Sequence, residues 1–239
     1  MEIFYIALLT FVAAIIGTIT GFGTSTLMIP VLVLFLPPVE AIFLVAVIHW
    51  FGDLWKISLF RQGLDFKLVL WFGIVGLITS YVGASVSLGI DQSRLPRILG
   101  IFLAFYTIFL LYQSRFKIPA SPFTAFSGGA LSGFLAGMFG IGGAVRGMFL
   151  AAFDLPKAVY IATAGAIGLA VDSTRIITYL AGGTVLPERL AWSLLLFIPV
   201  SFAGARIAKK IVDRVPQDRF RTVIAVFLLV VGVKLIFWP

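Results

Sequence analysis

The chain has 239 residues, 61% hydrophobic and 12% charged, with mean hydropathy +1.12, a balance that excludes a soluble globular domain and places it among polytopic membrane proteins. It has no cysteine, which excludes disulfides and thiolate chemistry, and its single histidine, His49, makes a histidine-built metal site a poor expectation. The formal charge of +8 sits mostly in short connections, where it orients helices in a bilayer, so nucleic acid is not an expected partner.

Hydropathy and breakers divide the chain into ten apolar segments, at 3–20, 24–36, 39–60, 66–88, 94–113, 122–139, 144–154, 157–181, 188–206 and 219–238. The first has Glu2 in place of a basic leader and no small-residue cleavage site, so it reads as retained structure rather than a signal peptide. Two segments are short: 24–36 would make about 20 Å of helix against a hydrocarbon core of about 30 Å, and 144–154 is shorter still. Each either crosses or folds back as a re-entrant piece. No linker or second domain is visible, which predicts one transmembrane domain over 1–239.

Both short segments follow glycine-rich breaks, GFGTST at 21–26 and GIGG at 140–143. Non-helical backbone at membrane depth is tolerated where it is buried in protein or lines a wet cavity. A helix starting after such a break presents free N–H groups and a positive dipole end. Gly21, Gly23, Gly140, Gly142 and Gly143 let an anion approach the backbone, and Thr24, Ser25 and Thr26 add hydroxyl donors, so the breaks are candidate halves of an anion site. The alternative for the spaced glycines Gly17, Gly21, Gly129, Gly133 and Gly137 is tight helix packing.

His49 lies in the middle of the third segment, where it can bind substrate, relay a proton or tie two helices together. Asp53 and Lys56 stand at i, i+3 spacing, as do Asp172 and Arg175, so each pair can neutralise itself inside the membrane or act in gating or coupling. Arg146, three residues after GIGG, is expected in the first turn of the short helix, where a second positive charge beside a helix N-terminus calls for an anion. A surface loop carrying Arg146 is the competing reading. Trp71, Trp192 and Trp238 sit near segment ends as interfacial anchors.

A shift of 119 residues lays Gly21 on Gly140, Gly23 on Gly142, Leu36-Pro37 on Leu155-Pro156, Asp53 on Asp172 and Gly63 on Gly182, with Lys56 meeting Arg175 and Leu27 meeting Arg146. The chain is therefore expected to contain two repeats, 1–118 and 119–239, each of about five segments. An odd number of crossings per repeat makes the second copy inverted, the arrangement of secondary transporters whose broken helices meet near the midplane. One side then collects Lys56, Arg61, Lys67, Arg115, Lys117, Lys157 and the cluster Arg206, Lys209, Lys210, Arg214, Arg219 and Arg221. The other carries Arg94, Arg97, Arg146, Arg175, Arg189 and Lys234, which predicts the first side to be cytoplasmic and both termini outside. On the same geometry, Asp53/Lys56 and Asp172/Arg175 would flank a central site, one on each face.

The run GFLAGMFGIGG at 133–143, the Pro156-x-Ala158 turn and Asp172-x-x-Arg175 followed by Tyr179 and Gly182, with GTITGFGTSTLMIP at 17–30 as the matching motif, resemble the sulfite exporter TauE/SafE family, also called TSUP. The resemblance spans nearly the whole chain. It implies an all-α inverted-repeat carrier in the plasma membrane that exports or takes up sulfite, organosulfonates or related sulfur anions, with no cofactor. The first break has less glycine than many members, and Arg146 stands where a small or apolar residue is expected. The function expected is thus secondary transport of a small sulfur anion, with export downhill by about 2.3 kcal/mol per charge per 100 mV. An anion channel is the nearest rival. An enzyme acting on a lipid phosphate would need a fuller set of acid, base and nucleophile than one histidine and scattered carboxylates. A homodimer is open.

Overall fold

A computed structural model describes residues 1–61, 63–112, 118–214 and 217–238, without the side chains of 110, 112 and 217–223. Arg115 and Lys117, and the side chains of Arg219 and Arg221, on which part of the sidedness count rests, lie outside the described residues. The described residues form α1 (Glu2–Thr20), α2 (Ser25–Leu32), α3 (Pro38–Leu59), α4 (Phe66–Gly89), α5 (Leu95–Tyr112), α6 (Pro122–Phe139), α7 (Gly142–Leu150), α8 (Lys157–Ala181), α9 (Glu188–Ile211) and α10 (Gln217–Phe237). Short 3-10 turns follow α7 at Ala151–Phe153 and α9 at Val212–Arg214.

Local chemistry sets these boundaries. α3 opens on Pro38, and α8 and α9 open directly after Pro156 and Pro187, whose fixed φ suits a helix start. The Asp65 carboxylate caps α4 by accepting from the Leu68 N–H, and the Ser121 hydroxyl caps α6 by accepting from Thr124. α1 and α6 both stop at a left-handed glycine, Gly21 at φ 75° and Gly140 at φ 72°, where any other L residue is strained.

Several boundaries differ from the hydropathy reading. The helix expected over 24–36 is only Ser25–Leu32, with Pro30 inside it; beyond Leu32 the N–H groups of Leu34 and Phe35 bond three residues back, to Val31 and Leu32, and the chain turns toward Pro37. The helix expected from 144 begins at Gly142, so GIGG supplies the first helical turn as well as the break. α9 runs past 206 to Ile211, which puts Arg206, Lys209 and Lys210 on its end, where cations complement the helix dipole.

α4 shows why these helices assemble in lipid. Its buried stripe is Gly73, Gly76, Ser80, Gly83, Ala84 and Ser87, while Phe66, Leu70, Ile74, Ile78 and Tyr81 point outward. Small residues inward and large apolar residues outward is the pattern of a bilayer helix, since lipid removes the hydrophobic drive to bury the large ones. A methyl group added at Gly129, Gly133 or Gly137 of α6 would overlap the α4 backbone, so that glycine row serves packing. Among the described residues, four helical stretches, Glu2–Thr20, Pro38–Leu59, Phe66–Gly89 and Glu188–Arg214, are long and apolar enough to cross a membrane by length and composition. The chain is an all-helical, multi-pass membrane protein.

The major pairs of helices that are not consecutive in the chain are α4 with α6, α1 with α9, α3 with α8, α5 with α10, α4 with α8 and α3 with α9. Exchanging α1–α5 for α6–α10 turns this set of pairs into itself. α3 and α8 sit at its centre, and the hinges before α2 and α7 meet beside them. Trp192 and Trp238 are exposed near helix ends, and Trp71 lies under the Lys67 ammonium at 4.5 Å.

Candidate functional site

The two breaks in the helical chain touch. A methyl group on Gly143 would overlap the carbonyl of Phe22, and one on Gly17 would overlap the backbone of Gly23. Gly23, itself at φ 81°, has no room for a side chain because His49 Nε2 lies against it. Gly21 packs under the Tyr160 ring, Gly140 against Ile29 and the Arg175 guanidinium, and Gly142 against the Ser132 carbonyl. Each half thus reaches across the other at backbone distance.

Beside the breaks lies a cluster of buried ionisable side chains. His49, Asp53 and Lys56 share one face of α3, and Asp172 and Arg175 share one face of α8, all 3% exposed or less. Lys56 Nζ meets Asp53 Oδ1 at 2.6 Å, and Arg175 Nη2 meets Asp172 Oδ1 at 2.9 Å. His49 Nδ1 then bridges the pairs, 2.5 Å from Asp172 Oδ2 and 3.7 Å from Asp53 Oδ2. The expectation of two separate pairs flanking a site is corrected here: they form one network. The reason is close packing of α3 on α8, where a methyl on Gly165 would sit 3.1 Å from Lys56 Cβ and 3.2 Å from the Asp53 carbonyl.

Arg146 completes the cluster from α7. It is 2% exposed, so the surface-loop reading does not hold, and because α7 starts at Gly142 it lies one turn deeper than the first turn. A methyl on Gly168 of α8 would overlap Asp53 Oδ2 and stand 2.8 Å from Arg146 Nη2, which locates the guanidinium and the carboxylate on either side of one small space. Among the described residues, Arg146 Nε and Nη2, His49 Nε2, Asp53 Oδ2 and Thr24 Oγ1 are buried with no hydrogen-bond partner. His49 Nε2 lies against Gly23 of the first break and Thr24 Oγ1 faces Gly52 of α3, while Arg146 Nη2 and Asp53 Oδ2 lie on either side of Gly168 of α8.

The hydroxyls of the first break divide between two tasks. Thr26 donates to the Phe22 carbonyl at 2.9 Å and closes the break, while Thr24 keeps its hydroxyl unbonded and faces Gly52 of α3. Ser25 is buried beside them. Arg175 is not a free gate: Nη1 donates at 3.2 Å to the Ala136 carbonyl, which also accepts from the Gly140 N–H, and Tyr179 donates at 3.1 Å to the Gly137 carbonyl in the last turn of α6. Gly168, Gly165 and Tyr160 were not singled out from sequence, and Tyr179 entered only as part of the motif that carries the family resemblance. Gly168 shares a face with Asp172 and Arg175 at i, i+4 and i+7, a spacing that could have revealed it. Trp50 donating to Ser173 at 2.8 Å adds a tie between α3 and α8 that periodicity does not show.

His49, Asp53 and Asp172 are the one group of metal-donor type among the described residues, with ligand atoms within 4.8 Å of one another. Their surroundings do not fit a divalent cation. Both carboxylates already face a cation, and the cluster sets Lys56, Arg146 and Arg175 against Asp53 and Asp172, which leaves one positive charge in excess with His49 neutral. An uncompensated charge in a buried, low-dielectric space is costly, and the favourable occupant is an anion.

No curated protein sequence matches the chain. A family model described as Sulfite exporter TauE/SafE matches residues 6–235, and the chain therefore belongs to that family, whose members are membrane transporters of sulfite and related sulfur anions.

Proposed function

We propose that the chain is a secondary transporter that moves a small sulfur oxyanion or organosulfonate, with export as the downhill direction, and that the anion binds between the two breaks against Arg146, His49 and Thr24. The observation that carries this reading is Arg146: a buried guanidinium with two nitrogens unbonded, in a cluster with one positive charge in excess. A lone arginine at membrane depth costs about 2.5–3.5 kcal/mol on insertion scales, and a bound oxyanion offsets that with charge-assisted hydrogen bonds. Gly21, Gly23, Gly140, Gly142 and Gly143 hold the two short helices close enough for both ends to face it.

Access from one side is marked by a crevice of about 300 Å³ lined by Phe60, Lys157, Lys209 and Asp213, with Arg61 in the adjoining depression. An apolar plug of Ile19, Phe60, Ile161, Ala162, Ala208 and Val212 lies behind it. In this reading the basic crevice concentrates anions, and alternating access opens the plug. The self-exchange of helix pairs supports two inverted repeats. Cysteines introduced at the exposed Arg61 and Val185, near the ends of α3 and α8, should then label from opposite sides of the membrane; labelling from the same side removes the inversion.

The function is tested with Arg146→Leu, which copies the residue at the matching position of the first half, Leu27. Sulfite should raise the melting temperature of the wild type, and liposomes containing it should release sulfite. The variant should fold, unfold no earlier than the wild type in the absence of anion, and lose both responses. A folded Arg146→Leu protein with full sulfite stabilisation and flux would sink the assignment.

A further inference from the structure

The charge state of His49 has a direct bearing on what the site can hold. Its Nδ1 faces carboxylate oxygens, Asp172 Oδ2 at 2.5 Å and Asp53 Oδ2 at 3.7 Å, and a carboxylate can only accept, so Nδ1 carries a proton. In the neutral ring Nε2 is then a lone pair. That nitrogen is buried, has no partner and lies against Gly23, at the break where α2 begins. A neutral His49 therefore points a lone pair at the space assigned to the anion, and repels it. Only the doubly protonated ring offers an Nε2–H donor there.

We propose that His49 takes up one proton when the anion binds, so that the bound load is an oxyanion together with a proton held on Nε2. This rests on the anion site proposed above and adds its substrate class. The charged groups facing His49 are Asp53 and Lys56 from α3, Arg146 from α7 and Asp172 and Arg175 from α8. The first break contributes no charged group; Thr24 and Ser25 are buried there, and Tyr160 of α8 lies over Gly21, two residues before Gly23. With His49 neutral these groups sum to one positive charge; with His49 protonated they sum to two. A doubly charged oxyanion such as sulfite is neutralised in full only in the second state. The proton comes from water on the side of binding and leaves with the anion, so each cycle carries a net single negative charge and no bond to sulfur is made or broken.

The chain has a single histidine, so 15N-histidine labelling reports His49 alone. The full-length protein in detergent is titrated with sodium sulfite at mildly alkaline pH, where sulfite is the dianion, and binding is followed in parallel by calorimetry. The expected spectrum is a neutral, Nδ1-protonated ring before sulfite and a ring protonated on both nitrogens at saturation. A ring that stays neutral in the saturated complex overturns the proposal, whereas absence of any binding heat overturns the anion site itself. His49→Gln places an amide donor near the position of Nε2 without a titrating group. It should still bind sulfite, with an affinity indifferent to pH over the alkaline range in which the wild-type affinity falls about tenfold per pH unit. A folded His49→Gln protein that keeps the wild-type slope, or that binds no sulfite, also overturns the proposal.

Discussion

In the first half, the break between α1 and α2 is closed by its own residues. The Gly23 N–H donates to the Gly17 carbonyl at 3.1 Å, the Thr20 hydroxyl accepts from the Phe22 N–H, and the Thr26 hydroxyl donates to the Phe22 carbonyl. In the second half, the break between α6 and α7 is also closed by its own backbone, the Gly140 and Ile141 N–H groups donating to the Ala136 and Leu135 carbonyls, and Arg175 and Tyr179 of α8 hold it in addition from outside. The flanking side chains differ as well. Where the first half has His49 on α3 and Leu27 on α2, the matching positions of the second half hold Gly168 on α8 and Arg146 on α7. Gly23 leaves room for the His49 ring, and Gly168 leaves room beside the Arg146 guanidinium. The two breaks are thus bordered by non-equivalent side chains, an imidazole at the first and a guanidinium at the second.

That comparison can be broken first at the carboxylates. Asp172 meets Arg175 and His49 at 2.9 and 2.5 Å, while Asp53 meets Lys56 at 2.6 Å and His49 only at 3.7 Å. Removing one partner of a buried pair costs about 3–5 kcal/mol, and Asp172→Ala should approach that figure. Asp53→Ala should cost less, with the difference read from melting temperatures in detergent. Equal losses would mean that the halves divide the load evenly.

The glycines sharpen the comparison with smaller effects. Gly23→Ala places a side chain at φ 81° and into His49, and should lower stability by about 1–2 kcal/mol from the backbone alone. Gly168→Ala sits in a helix, where alanine gains about 1 kcal/mol over glycine, so its stability should change little. Its methyl overlaps the Asp53 carboxylate and crowds Arg146, and sulfite affinity should fall at least tenfold, about 1.4 kcal/mol, by calorimetry. A Gly168→Ala protein with unchanged affinity would move the anion away from Arg146.

Much of this was legible in residue spacing. The breaks at Gly21 and Gly140, the short helices after them and the i, i+3 pairs follow from glycine, hydropathy and helical period, and those are local properties. The joining of the pairs was not legible, because it depends on α3 and α8 meeting face to face, and no spacing within one helix reports the partner face. The role of Arg175 was hidden for the same reason: its acceptor, the Ala136 carbonyl, lies 39 residues away on α6. The depth of Arg146 was misjudged because glycine reads as a breaker, whereas Gly142 and Gly143 are helical and held there by contact with Ser132 and Phe22.

The hold of Arg175 and Tyr179 on the end of α6 has a mechanical consequence. α8 grips the last turn of α6 at two points one residue apart in the chain, and α6 lies flush along α4 through glycine, so α4, α6 and α8 make a stiff frame. Among the described residues the end of α1 has no such side-chain grip from α3, and the hydrogen bonds at its break are local. In the alternating access proposed above, displacement should concentrate at α1 and α2, sliding past that frame and past α7, which carries Arg146 and packs on α6 through Gly142, with His49 at the seam.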